Sequence, residues 1–386
     1  MAISKISANM IDGSLTSSLV TGSLPAVDGS ALTGAGAGID TETTSDPLIT
    51  SNPSDTGHLW ENKTTGKLFI CTDNTAGFNV WVNVGGGFGD YGKCFGGLGG
   101  GTVSGYATGG SQSGTPTAQH VDKYSFTTDG NSTDVADMIT VRNSGAGSSS
   151  ATHGYTSNGN ANPFTKTIEK MAFASNTVSS HGNTIGSPRN VPVGGSDSTH
   201  GYTIGGTITY PTTTNLIDKY AFSSNTTSVN HGTLIIPTFY QAFSGSISDG
   251  YVMGGHVSAP NPDKIQKFSF ATGSQSKQVG TLISATSHAA GHSSNSHGYT
   301  AGGNDGSSTS TIEKMAFASE VTTTGVGTLI LARQSCAASS STTHGYTFGG
   351  APYSSTLDKY SFASDANATS VGTTSSQRHS VAGQQH

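Results

Sequence analysis

Gly201-Tyr202-Thr203-Ile204-Gly205-Gly206 decides the reading of this chain, because it is repeated, with small changes, six times. The other copies begin at Gly105, Gly154, Gly250, Gly298 and Gly345, so successive copies stand 47 to 49 residues apart. In the copy at Gly154-Tyr155, Asn158-Gly159 takes the place of the glycine doublet. A second word follows each time: an acid or Gln, then Lys, then an aromatic residue or Met, one small residue and Phe. It reads Asp122-Lys123-Tyr124 with Phe126, Glu169-Lys170-Met171 with Phe173, and Asp218-Lys219-Tyr220 with Phe222. The later copies are Gln266-Lys267-Phe268 with Phe270, Glu313-Lys314-Met315 with Phe317, and Asp358-Lys359-Tyr360 with Phe362. Residues two apart on a strand share a face, so the ring or Met and the Phe point the same way. Paired glycines admit positive φ and close backbone approach, so the first word reads as a strand that breaks into a turn. Short strands, dense turn residues and a fixed period near 48 describe small four-stranded sheets that cannot bury their faces alone and must stack on one another.

These words resemble the kelch repeat, in which a glycine doublet follows an aromatic-containing strand and a second aromatic strand comes later. The resemblance covers about three quarters of the chain. Arg142, Arg189 and Arg333 stand twelve residues before Gly154, Gly201 and Gly345, where kelch-like repeats often carry an Arg. The departure is the Trp usual in that family: Trp60 and Trp81 both lie outside the repeats. The resemblance implies an all-β fold whose main domain, residues 91–386, is a kelch-like β-propeller. Six blades are expected, or seven if the segment before Gly96 contributes one. Arg378-His379-Ser380-Val381-Ala382-Gly383 repeats the Arg-led opening of a blade with no Gly-Tyr after it. Such an orphan strand is expected to close the ring on the first blade and leave no open edge. Lys93 to Gly101 is the competing candidate for that place.

Composition narrows the function classes. Charged residues are 10% of the chain and glycines number 54, against about a quarter and half that glycine share in ordinary domains. A net charge of −6 without a basic run speaks against a nucleic-acid partner. Cys71, Cys94 and Cys336 form no disulfide framework and no zinc spacing. The N-terminus lacks the apolar core of a signal peptide, and no stretch approaches 18 apolar residues, so neither export by the usual route nor a membrane span is expected.

Two pieces precede the repeats. Residues 1–40 are small and polar with a thin apolar set (Ile3, Ile6, Met10, Ile11) that needs a partner to be buried. Within them, Leu24-Pro25-Ala26-Val27-Asp28-Gly29-Ser30-Ala31-Leu32-Thr33-Gly34 resembles a phrase near the start of bacteriophage tail-fibre and other virion appendage proteins, where it belongs to a trimeric stem or anchor. The bland alternative is a disordered leader. Residues 41–90 form the second piece. Gly57 to Asn62, Lys67 to Thr72 and Asn79 to Gly85 alternate as three strands of a small β-meander, near the lower size limit for independent folding. The succession Leu59-Trp60, Cys71-Thr72-Asp73 and Val80-Trp81 is similar to a connector module of phage virion proteins, which implies a linking and trimer-contact role.

Catalytic chemistry finds little footing. Gly87-Phe88-Gly89-Asp90-Tyr91-Gly92-Lys93-Cys94 matches dinucleotide and phosphate-loop patterns, but the glycine-rich run after it will not form the helix such a site requires. His153, His200, His297 and His344 each precede a Gly-Tyr and could ring a pore to hold a metal. Ser104 and Asp249 hold the same place elsewhere, which is what a turn position tolerates. All four arginines (Arg142, Arg189, Arg333, Arg378) share one register of the repeat. They could clasp a carboxylate at the pore as in sialidase-type propellers, or pair from blade to blade with the repeated acid. The expectation is therefore no catalytic residue, no cofactor and no metal.

The resemblances together imply a virion structural protein, a tail fibre or similar appendage assembled in the host cytoplasm. It would be joined to other virion proteins through its N-terminus and homotrimeric, engaging a host surface glycan or outer-membrane protein. A cellular kelch-like interaction module and a propeller glycan hydrolase are the alternatives. Loops on a rigid scaffold are where binding is placed. The longest insertions, 207–216 and 257–264, make Tyr210, Pro211, His256, Pro260, Asn261 and Pro262 the expected receptor contacts.

Overall fold

The computed structural model describes residues 39–64, 67–85, 101–115, 117–257 and 261–386. The Leu24–Gly34 phrase, the glycine-rich run at 87–94 and Pro260 lie outside them. The chain is all-β and divides into two compact units, Met1–Gly89 and Asp90–His386.

In the smaller unit, β1 (Thr41–Thr43), β2 (Leu59–Asn62), β3 (Lys67–Asp73) and β4 (Val80–Gly85) form one sheet in that order. The last three make the antiparallel meander that their alternation predicts. β1 joins β2 in parallel, with Thr41 opposite Trp60, an addition that the short Thr41-Glu42-Thr43 segment does not announce. Trp60 and Trp81 pack edge to face at 5.6 Å. Their indole N–H groups donate to the carbonyls of Ser45 and Leu48 at 2.9 and 3.1 Å, which satisfies the polar end of each ring.

The larger unit contains six four-stranded antiparallel sheets. Sheet I comprises Ala382–Gln385, Ser104–Thr108, Ala118–Ser125 and Thr133–Arg142; sheet II comprises Ala146–Ser149, His153–Ser157, Thr167–Ala172 and Thr177–Thr184. Sheet III is Val193–Ser196, His200–Ile204, Leu216–Ala221 and Val229–Thr233; sheet IV is Ala242–Gly245, Asp249–Met253, Lys264–Ser269 and Lys277–Thr281. Sheet V is Ala290–Ser293, His297–Asn304, Ser308–Ala316 and Thr324–Thr328; sheet VI is Ala337–Ser340, His344–Phe348, Thr356–Ser361 and Thr369–Thr373. In every sheet the Gly-Tyr word is the second strand and the acid-Lys word the third. The first strand of sheet I comes from the C-terminus, with Gln384 opposite Tyr106, so the orphan strand finds the place expected for it. Its competitor contributes, among the described residues, only the bridge of Gly101 to Ser341.

The repeated residues explain the sheets. The first glycine of Gly-Tyr-Thr-Ile lies under the third-strand ring: a Cβ on Gly201 would overlap the Tyr220 ring, and one on Gly105 the Tyr124 ring. Gly205 and Gly206 adopt φ of 59° and 94°, and in the altered copy Asn158 takes 57° beside Gly159 at 99°. Asn enters this left-handed region more readily than most residues, which is why the doublet tolerates it there.

The core lies between sheets. Each Gly-Tyr ring packs on the Phe of the next repeat: Tyr106 on Phe173, Tyr155 on Phe222, Tyr202 on Phe270, Tyr251 on Phe317, and Tyr299 on Phe362, with centroids 4.4 to 5.1 Å apart. The sixth pair, Tyr346 on Phe126 at 4.7 Å, joins sheet VI to sheet I. Buried apolar clusters fill the same six boundaries, each drawing on two consecutive sheets. Lys123, Lys219 and Lys267 sit 5.6 Å over the rings of Tyr106, Tyr202 and Tyr251, which gives the Lys of the second word its place.

Candidate functional site

The four arginines define the face on which binding groups gather. Arg142, Arg189 and Arg333 form ion pairs with Glu169, Asp218 and Asp358, and Arg378 pairs with Asp122 at 2.8 Å. Arg189, Arg333 and Arg378 each join the entry of a sheet to that sheet's own third strand, and Arg142, the last residue of sheet I, reaches the third strand of sheet II. The repeated acid is the partner, but only Arg142 pairs from one sheet to the next, and the arginines form no clasp at a pore. All four are at most 1% exposed. Each guanidinium also donates to the loop carbonyls around the glycine doublet. Arg333 reaches Gly349 O and Thr356 O, both at 2.8 Å, and Arg378 reaches Gly109 O at 2.7 Å. Burial pulls Arg189 down to about 10, still charged at neutral pH. The loops between second and third strands are thus tied to the scaffold by charge-assisted bonds.

In the two remaining repeats Thr238 and Thr286 stand where the Arg would be. The first is matched by neutral Gln266, which accepts from Ile236 N–H at 2.9 Å and donates to its carbonyl at 3.1 Å. The second faces Glu313, whose carboxylate accepts from Ile283 N–H at 3.0 Å and from the Thr323 hydroxyl at 2.5 Å.

Two residues after each Arg or Thr, the chain turns into the first strand through a left-handed residue. Ser144, Val191, Tyr240, His288, Ser335 and Ser380 all have φ between 51° and 60°. None is glycine, and for β-branched Val191 this conformation is costly. Five backbone bonds link the set. Tyr240 N–H donates to Val191 O at 3.3 Å, His288 to Tyr240 at 2.7 Å, and Ser335 to His288, Ser380 to Ser335 and Ser144 to Ser380 at 2.8 Å each. The belt rims a cavity of about 160 Å³ lined by the first strands of all six sheets and their entry turns. Inside the rim those strands come backbone to backbone: a Cβ on Gly194 would overlap Gly147, and one on Gly147 would overlap Gly383.

Two rim side chains are large. The rings of Tyr240 and His288 stack at 3.6 Å and 23°. Beside them Gln241, 5% exposed, donates from Nε2 to Ile204 O at 2.8 Å, while its buried Oε1 has no partner among the described residues. Among the described residues, no Asp, Glu, Lys or Arg lines the cavity. Burial and the neighbouring His256 bring His288 down to about 4, burial pushes the Cys336 thiol up to about 11, and burial with the nearby Tyr210 phenol raises Tyr240. All three are neutral at pH 7, so the cavity carries no net charge.

The expected receptor contacts fall around this pair. Tyr210 and Pro211 form the tip of a hairpin between Thr207–Thr209 and Thr212–Thr213, and Tyr210 is 75% exposed. His256 bridges Phe239 through its backbone and lies edge-on to that ring at 4.8 Å. Asn261 Nδ2 donates to Ser287 Oγ at 3.4 Å, next to His288, and Pro262 is half-buried beside it. Tyr240, His288 and Gln241 escaped the sequence reading. The signal was present: they are the bulky members of columns filled elsewhere by Ser144, Ser335 and Ser380, or by Gly145, Ala289 and Val381.

Other candidates stay dispersed. His153, His200, His297 and His344 each bond the preceding Thr or Ser hydroxyl at 2.8 Å, at the start of four different second strands. Among the described residues the group with metal-ligand spacing is His120, Asp134 and Asp137, within 4.8 Å of one another on the exposed outer strands of sheet I. Cys71 and Cys336 are free thiols.

Comparison with protein-family models finds none that matches the chain, and a search of curated proteins finds no match.

Proposed function

We propose that residues 91–386 form a six-bladed kelch-like β-propeller, and that the chain is a structural component of a bacteriophage virion, a tail fibre or similar appendage that engages the host surface. The propeller reading is supported by the cyclic order of its interfaces, above all the Tyr346–Phe126 pair and the strand Ala382–Gln385 in sheet I. The virion reading rests on the Leu24–Gly34 phrase and on the connector-like succession in β2, β3 and β4. Binding is assigned to the face that carries the second-to-third-strand loops, because the arginine clamps hold those loops while their lengths vary.

The smaller unit supports self-association. Phe78, Val80, Val82 and Ile49 are 74%, 48%, 44% and 62% exposed, and β4 is an edge strand. So much apolar surface on so small a unit is suited to a copy of itself, and we assign it to a homotrimer. The rival glycan-hydrolase reading loses its main feature, because the arginines that would bind a substrate carboxylate are engaged in buried pairs.

The carrying observation for host binding is the cluster of Tyr210, His256 and Asn261 around one cavity. Deleting residues 207–216 and 257–264 together should abolish adsorption of the protein to host cells, and undiminished adsorption would sink the assignment. Light scattering of the full chain beside residues 90–386 should give a trimer and a monomer; a monomer in both removes the appendage reading.

A further inference from the structure

We infer that the axial cavity binds a single uncharged sugar ring, the terminal residue of a surface saccharide. The inference rests on the host-binding reading above and specifies its ligand.

Four observations point the same way. At about 160 Å³ the cavity holds on the order of ten water molecules, enough for one pyranose and too little for a peptide. Among the described residues its lining includes no charged side chain, which argues against a carboxylate or ammonium group as the anchoring feature. The stacked Tyr240–His288 pair offers an aromatic wall for the apolar C–H face of a sugar, and exposed Tyr210 stands beside it. The hydroxyls of Ser144, Ser335 and Ser380 on the rim can each donate or accept, as the remaining sugar hydroxyls require. Such sites bind weakly one at a time, and three copies on one appendage multiply the effect.

The test is saturation-transfer NMR on the full-length protein with methyl glycosides of glucose, galactose, mannose and N-acetylglucosamine, and with N-acetylneuraminic acid as the anionic probe. At least one neutral glycoside should bind with a Kd on the order of 1 mM. Tyr240→Ala and His288→Ala should each weaken it about tenfold, and Tyr210→Ala about threefold. His297→Ala, at the other end of sheet V, should leave binding unchanged. Tyr240 sits in a strained turn, so circular dichroism checks that variant's fold, and the exposed Tyr210→Ala carries the test if it unfolds. The inference fails if no neutral glycoside binds, if only the anionic sugar binds, or if His288→Ala and Tyr210→Ala bind as the parent does. Cell adsorption measured in parallel separates the two readings. Adsorption without a glycoside signal removes the cavity and keeps the surface-binding role; loss of both removes both.

Discussion

Replacing Arg333 by Thr should be among the most damaging single changes in the larger unit, and the chain contains its own control. Arg333 and Asp358 are 1% and 0% exposed, and the guanidinium also satisfies the carbonyls of Gly349, Thr356 and Thr347. Burial raises the Asp358 carboxyl and the Arg333 charge counteracts it, so removing Arg333 leaves a desolvated carboxylate held mainly by Ile330 N–H at 3.2 Å. Breaking one side of a buried pair costs about 3–5 kcal/mol. Sheet V tolerates Thr286 opposite Glu313 because Thr323 lends a hydroxyl; in sheet VI that neighbouring place is held by Ala368, which cannot. Sheet IV shows the neutral solution, Thr238 with Gln266. The double change Arg333→Thr, Asp358→Gln should therefore recover most of the loss, to within about 1–2 kcal/mol of the parent. Urea denaturation followed by near-UV circular dichroism at pH 8 measures both. The penalty of the single variant should shrink as the pH falls, because a protonated Asp358 no longer needs a cation. A single variant that loses under about 1 kcal/mol, or a double variant as unstable as the single one, would refute this account of the ion pairs.

His292 is fully buried, donates through Nε2 to Tyr346 O at 2.9 Å, and is held down to about 4 by its burial against the usual 6.5. Because the unfolded chain takes up the proton first, stability should be complete above pH 6.5 and fall by about 3 kcal/mol between pH 6.5 and 4. His292→Gln, which copies Gln384 of sheet I, should flatten that part of the profile, and an unchanged slope would contradict it. Val82→Glu on β4 should turn a trimer into monomers by light scattering without lowering the melting temperature of the larger unit. Deleting residues 378–386 removes the first strand of sheet I and leaves Asp122 without its guanidinium, so the melting temperature in calorimetry should fall. Gly201→Ala should cost about 2 kcal/mol, since the Tyr220 ring fills the space a Cβ would need, and Gly154→Ala, in the repeat with Met171, should cost less in the same melt.

Much of the larger unit was legible because its features are local and repeated six times. The period, the strand identity of both words, the common face of ring and Phe, and the turn at the doublet follow from steric rules acting over a few residues, and the pairing of Ala382–Gln385 with the first repeat follows from the repeat register. The Arg–acid pairing was legible as one of two readings, since a register of charges tells which groups recur but not which way they face. Burial decides it: no guanidinium lines the cavity. β1 carried no pattern to read, because a three-residue strand of Thr and Glu differs little from a loop until a neighbour pairs with it.

The candidate site divides along the same line. The chain alone marked Tyr210, His256 and Asn261, because insertions interrupt a periodic text and stand out. Tyr240, Gln241 and His288 stood out only as bulky members of columns filled elsewhere by small residues, a signal that does not say where those columns meet. They meet only when six entry turns are bent through left-handed conformations and brought together by interfaces between residues far apart in sequence, such as Tyr346 and Phe126, 220 positions apart. Sequence determined the sheets, because strand and turn preferences are short-range. Tertiary structure alone decided the cavity and its neutral lining, because six sheets are assembled by packing between repeats that no single repeat encodes.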